Sequence, residues 1–145
     1  MNHIKHLLII NASAETIFKN ISTQQGLQNW WTKETIAKPE IGFKNDFKFG
    51  GAYHKVMRIT ELVRNESITW VCEEGDSEWL GTEISFRIEE LNGKNTLRFS
   101  HRNWRETTDY FESCNYHWGY YMHSLKLLSE TGKGTPHNVA QKIAN

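Results

Sequence analysis

The sequence predicts an α+β domain: a curved six-stranded antiparallel sheet, in the order β-α-α-β-β-β-β-β-α, wrapped around one long C-terminal helix. Three observations predict it. Asn92-Gly93 lies between two runs of alternating polarity, the strongest short hairpin signal, because both turn residues need positive φ. From Ile41 onward the hydrophobic period is two, as in strands with one covered face. From Asp109 to about Thr131 apolar residues recur at spacings of three and four, the pattern of a helix with one buried stripe.

Residues 3 to 10 form the first strand, with His6, Leu8 and Ile10 on one side and Leu7 and Ile9 on the other. Asn11 and Ser13 can cap a short helix whose first turn carries Glu15. A second short helix near Thr23 to Trp31 sets Leu27, Trp30 and Trp31 on one face, and Pro39 closes the segment. Phe43, Phe47 and Phe49 then alternate with Lys44, Asp46 and Lys48 before a reversal at Gly50-Gly51. Two more strands, Tyr53 to Val63 and Ser67 to Glu73, are joined through Arg64-Asn65-Glu66 and followed by a polar loop, Glu74 to Glu78. The parities of the hairpins beside Gly50 disagree unless a bulge intervenes. That leaves open which way His54 and Arg58 face.

The next hairpin joins Thr82–Leu91 to Lys94–Asn103. Pairing Leu91 with Lys94 sets Ile88 opposite Leu97, Phe86 opposite Phe99, and Ile84 opposite His101, all on one apolar face. The other face pairs Glu83 with Arg102, Ser85 with Ser100 and Glu89 with Thr96. It also opposes Arg87 to Arg98, which is unfavourable unless a carboxylate such as Glu89 intervenes. The long helix offers Phe111, Cys114, Trp118, Tyr121, Leu125 and Leu128 to this sheet. Thr107, Thr108 or Asp109 caps its start and Gly132 ends it. Residues 1–132 are therefore the domain, and 133–145, beginning Lys133-Gly134-Thr135-Pro136, a flexible tail.

Composition narrows function by exclusion. At 145 residues the chain holds one core. Lys plus Arg equals Asp plus Glu at 17 each, so no basic surplus points to nucleic acid. No apolar run is long enough to span a bilayer, and Leu7 to Ile10 is too short for a signal-peptide core, so a cytoplasmic location is expected. Cys72 and Cys114 form no CxxC pair and read as buried free thiols. The unusual feature is six tryptophans beside seven Phe and five Tyr, which suggests either a bulky core or a pocket lined by rings.

Reactive constellations do not emerge. His117 and His123 lie on different helix faces and cannot chelate one metal, and no HExxH or Cys/His cluster occurs, so neither metal nor cofactor is expected. No carboxylate pair is forced onto one buried face, and Cys114 has no fixed base beside it. His101, turned inward among Ile84, Phe86 and Phe99, reads first as a hydrogen-bonded wall residue and second as a proton-transfer group. No catalytic residue is assigned. The candidate ligand-binding residues are Trp30, Trp31, His54, Trp70, Phe86, Phe99, His101, Trp104, Trp118 and Tyr121.

One resemblance spans nearly the whole chain. It runs through Gly26-Leu27-Gln28-Asn29-Trp30-Trp31, Pro39-Glu40-Ile41-Gly42 leading to Phe47-Lys48-Phe49, and Arg58-Ile59-Thr60-Glu61-Leu62 before Ile68-Thr69-Trp70. It ends with Trp118 and the stretch from Leu125 to Gly134. In these pieces the chain resembles the family named for the activator of the heat-shock-protein ATPase, its C-terminal-domain type. That family sits within the START-like superfamily, with the helix-grip fold shared by birch-pollen-allergen-like proteins and polyketide cyclases. The resemblance implies a hydrophobic cavity between sheet and helix. With the abundance of aromatic residues, the leading expectation is binding of a small hydrophobic or aromatic ligand, lipid-like or a secondary metabolite, without catalysis. It implies no shared catalytic set. The alternatives are a cyclase or hydrolase acting on an aromatic substrate, with His101 or His117 moving protons, and a stand-alone chaperone-interaction module. The chaperone activator has a separate N-terminal domain that engages the chaperone. This chain begins at the first strand, so chaperone activation is not expected of it.

Overall fold

The structure is a computed structural model that describes residues 1–51 and 53–138. The elements run β1 (Asn2–Ile10), α1 (Ala14–Ser22), α2 (Gln24–Trp30), β2 (Glu34–Ile36), β3 (Lys44–Lys48), β4 (His54–Val63), β5 (Ser67–Glu74), β6 (Glu83–Leu91), β7 (Lys94–Trp104) and α3 (Asp109–Thr131). One antiparallel sheet takes the order β1-β7-β6-β5-β4-β3-β2. It closes over α3, as the sequence predicts, but with seven strands rather than six. The additional strand is β2, where Thr35 pairs with Phe47. Three residues are too few to display a period, so only pairing reveals it.

The β6–β7 hairpin adopts the predicted register throughout, including Ile84 opposite His101 and Phe86 opposite Phe99. Asn92 and Gly93 have φ of 53° and 76°, as the tight turn demands. Arg87 does oppose Arg98, and Glu89 relieves the pair by accepting a hydrogen bond from Arg98 Nε at 3.1 Å. The mismatched parity near Gly50 resolves inside the β4–β5 ladder, where the register shifts between Val56 and Met57 and again between Ile59 and Glu61. Counting partners places the unpaired residues at Glu73 on β5 and Thr60 on β4.

Capping follows the sequence. The side chains of Ser13, Thr23 and Thr108 accept from the backbone N–H groups of Thr16, Gly26 and Phe111. Gly132, at φ 86°, closes α3 in the left-handed conformation. At 23 residues α3 is about 34 Å long, and it buries Cys114, Trp118, Tyr121, Met122, Ser124 and Leu125. Phe111 and Leu128, also expected on this face, are partly buried against the core. Gly26 permits a close crossing of the two short helices, since a Cβ there would lie 2.4 Å from Asn20 Cα.

The segment after Gly132, expected to be loose, is tied back as far as Asn138. Thr135 N donates to Ser124 Oγ at 2.8 Å, His137 N to Trp31 O at 2.8 Å, and Lys33 N to His137 O at 3.0 Å. The remainder of the expected tail, 139–145, lies outside the described residues.

Candidate functional site

The interior between sheet and α3 is a run of touching rings. Trp31 from the end of α2 lies 4.4 Å from Phe47, 5.9 Å from Trp70 and 5.1 Å from Trp118, centroid to centroid. Trp118 continues to Trp79 at 6.0 Å, Trp79 to Trp104 at 6.3 Å, and Trp104 to Phe111 at 5.2 Å. Phe86 packs edge-on against Trp30, Trp70 and Phe99. The space in which an open cavity is expected is thus occupied by the protein's own side chains. An open groove of about 600 Å³ lies elsewhere, between the β1–α1 turn, Gly93–Asn95 and α3, and its polar wall includes Lys126 and Glu130.

Nine of the ten candidate residues are buried here: Trp30, Trp31, Trp70, Phe86, Phe99, His101, Trp104, Trp118 and Tyr121. Not all contribute free polar groups. Trp30 donates its indole N–H to Asn20 O at 2.7 Å, which ties α2 to α1. Tyr121 stacks edge-on with Tyr120, and burial pushes its hydroxyl up from the usual phenol range.

His54 is the exception, and its placement corrects the expectation. Its Nε2 lies 3.0 Å from Asp46 Oδ1, with both side chains about a third exposed. Arg58 likewise turns to the outer face, donating to Glu73 at 2.7 Å. The reason is the β3–β4 register, which pairs Lys48 with His54 and Phe47 with Lys55. Phe47 faces the core, so Lys55 faces it too and His54 does not.

His101 is held by a complete hydrogen-bond chain. Trp118 Nε1 donates to His101 Nδ1 at 3.1 Å, so the proton of the neutral ring sits on Nε2. Nε2 lies 2.8 Å from Thr82 Oγ1, which in turn donates to Trp79 O at 2.6 Å. Burial, reinforced by the Lys55 ammonium, pushes the His101 pKa down to about 3. A ring that is neutral at physiological pH with both nitrogens engaged has the arrangement of a hydrogen-bonded wall position.

Lys55 escaped the sequence reading, and it is the most unusual group in the interior. The residue is only 5% exposed. Its Nζ sits 4.1 Å above the Trp79 ring and donates to Tyr110 OH at 3.3 Å. Among the described residues it makes no ion pair. Burial lowers its pKa from the ordinary lysine value. The neighbouring thiols do not compensate at neutral pH, because burial pushes Cys72 up to about 11 and Cys114 up as well. The signal that finds Lys55 is the pairing of Phe47 across the Gly50-Gly51 reversal, which strand parity alone leaves undetermined.

A loop covers this lysine. Residues 75–82, between β5 and β6, carry Trp79 inward and are latched to the β7–α3 connection. Arg105 donates to the carbonyls of Ser77 and Leu80, and Thr108 Oγ1 donates to Glu78 Oε1. Gly75 lets the loop lie on the lysine stem, since a Cβ there would come within 3.0 Å of Lys55 Cδ. Among the described residues no group of three metal-ligating side chains gathers, and no helix is long and apolar enough to cross a membrane.

Comparison with known proteins agrees with this architecture. The profile of the family described as Activator of Hsp90 ATPase homolog 1-like protein matches residues 11–130. The chain is similar to the protein described in the solution structure of the Aha1 dimer from Colwellia psychrerythraea, at 36% identity and TM-score 0.85, covering 92% of this chain and 100% of that one. It shares its fold with a Mesorhizobium loti protein (13% identity, TM-score 0.77, 88% and 96% of the two chains). It also shares it with a Staphylococcus saprophyticus protein (15%, 0.76, 92% and 96%). No functionally curated protein matches the chain.

Proposed function

Because the chain belongs to the Activator of Hsp90 ATPase homolog 1-like family, we propose that it binds a small apolar or aromatic molecule, lipid-like or a secondary metabolite, between sheet and α3, without catalysis. One observation carries the reading. The indole N–H groups of Trp70 and Trp104 are buried and have no hydrogen-bond partner among the described residues. Buried donors are nearly always satisfied, so such exceptions mark places where a ligand or water acceptor belongs. A ligand seated among these rings gains roughly 25 cal/mol for each Å² of apolar surface removed from water, before ordering costs. The neutral, doubly engaged His101 favours binding over proton transfer.

Entry requires a ring to move, and Trp79 is carried by the 75–82 loop, which Arg105 and Thr108 latch from outside and which pairs with β5 only at Gly81 and Thr82. The test is chemical-shift mapping against fatty acids, sterols and flavonoids. Perturbation at Phe86, Phe99, Trp118 and the Trp70 and Trp104 indoles is the expected result. If nothing in the panel shifts those signals, the reading fails.

A second reading, an interaction module, rests on the free edge of the sheet. Leu7 and Ile9 on β1 are 58% and 54% exposed, and among the described residues β1 has a strand neighbour on one side only. The Colwellia psychrerythraea relative is described as a dimer, so a second copy is the partner we propose for this edge. Sedimentation velocity should give the mass of two chains, and Leu7→Lys with Ile9→Lys should return it to one. A single-chain mass up to the solubility limit rejects this reading. A chaperone partner is tested separately with the purified heat-shock chaperone.

A further inference from the structure

We propose that Lys55 is the counter-charge of an anion-recognition subsite, so that the ligand of the aromatic interior is an acid whose carboxylate seats against Lys55 Nζ beneath the 75–82 loop. The inference rests on the binding function proposed above and names the ligand's chemical class.

Its basis is an imbalance of donors and acceptors around one buried cation. An ammonium with 5% exposure and, among the described residues, no carboxylate within ion-pair distance is rare, because burying an uncompensated charge is costly. The groups facing it come from every element packed there. From α3 come Tyr110, whose oxygen accepts one of its three protons, and Cys114. From β5 comes Cys72, from β7 His101, and from the loop Trp79 and Asp76. Both thiols are protonated and His101 is neutral at physiological pH. Asp76 is exposed on the loop and makes no ion pair with Lys55. Trp79 offers only the face of its ring, which holds a cation more weakly than a carboxylate does. Close by, the Trp104 indole packs 4.7 Å from the His101 ring and 6.2 Å from Tyr110, and its N–H is unsatisfied.

This end of the interior therefore presents Lys55 Nζ and Trp104 Nε1 as donors with few acceptors to meet them. Everything toward Trp118, Trp31 and Phe47 is apolar ring surface. A carboxylate at the Lys55 end with an apolar body lying along the rings satisfies both halves. The loop glycines Gly75 and Gly81, at φ 153° and 80°, bracket the segment that must lift to admit it.

The experiment is calorimetric titration of the intact chain with matched pairs, naphthalene-2-carboxylate against naphthalene-2-carboxamide and decanoate against decanamide. The acid of at least one pair should bind about tenfold tighter than its amide, the size of one charge-assisted hydrogen bond. Lys55→Met and Lys55→Gln should erase that ratio while keeping amide affinity. Equal affinities for acid and amide, or a preference that survives both substitutions, overturn the carboxylate assignment and leave the apolar site standing. Failure of all four probes overturns both. Should the variants not fold, carbon-13 NMR of Lys55 in the wild-type chain decides. The ammonium pKa should rise when the acid binds, and an unchanged value overturns the proposal.

Discussion

Trp118 Nε1 and His101 Nδ1 meet at 3.1 Å in the buried interior, so a helix donor fixes the tautomer of a strand histidine. The bond spans the sheet–helix interface and sets the polarity of the chain that continues through Thr82 to Trp79 O. Removing the donor leaves Nδ1 buried and unsatisfied. Trp118→Phe should therefore cost about 3 kcal/mol, combining lost ring volume with an orphaned acceptor. Urea unfolding measures it, and a cost within experimental error of zero would refute the role assigned to the bond.

The same histidine makes folding acid-sensitive. Its folded pKa of about 3 lies below the unfolded value of 6.5. The unfolded state therefore binds the extra proton, and stability is retained above pH 6.5 and lost as pH falls toward 3. The slope from this one group is about 1.4 kcal/mol per pH unit. His101→Gln should flatten the stability curve across that window by one proton. Identical slopes for wild type and variant would show that His101 does not titrate on unfolding.

Lys55 is expected to oppose folding at neutral pH. A lowered folded pKa means its contribution is fully favourable only above 10.5 and is lost as pH falls through the folded value. Lys55→Met keeps most of the volume and removes the buried charge. It should raise stability at pH 7 by about 1 kcal/mol, with a smaller gain near pH 10. Destabilisation at both pH values would mean that the Trp79 and Tyr110 contacts outweigh desolvation.

Arg105 and Thr108 hold the 75–82 loop from outside the sheet. Arg105→Ala should speed amide exchange at Trp79 and Gly81 while changing global stability by less than about 1 kcal/mol, since local opening draws on local contacts. Unchanged exchange at those amides would show that the latch is ornamental.

Gly26 and Gly134 stand where backbones nearly touch. A Cβ at either would lie 2.4 Å from a backbone atom, Asn20 Cα or Asn29 O. Gly26→Ala should destabilise by about 2 kcal/mol through overpacking. Gly134→Ala should instead release the contact between residue 135 and Ser124, seen as faster exchange of the Thr135 amide. A neutral Gly26→Ala would mean that the short helices slide apart without cost.

The sequence by itself determined whatever depends on near neighbours in the chain. Asn92-Gly93 dictates the register of a whole hairpin, because the turn geometry is local and the side-chain period is two. Thr108 and Gly132 bound α3 because caps satisfy the helix's own backbone. Nine ring and histidine positions were legible as interior on the same grounds. What only the tertiary structure decided lies where strand parity breaks. The bulges at Thr60 and Glu73, the three-residue β2, and the choice of Lys55 over His54 all depend on which residue a distant strand presents. One slipped residue exchanges the faces of a strand, and no local signal near Gly50 forbids the slip. The filling of the cavity is likewise a tertiary outcome. Periodicity says that Trp31, Trp70 and Trp118 point inward, but only their assembly shows that they meet one another and Trp79 and leave a buried lysine at the end of the row.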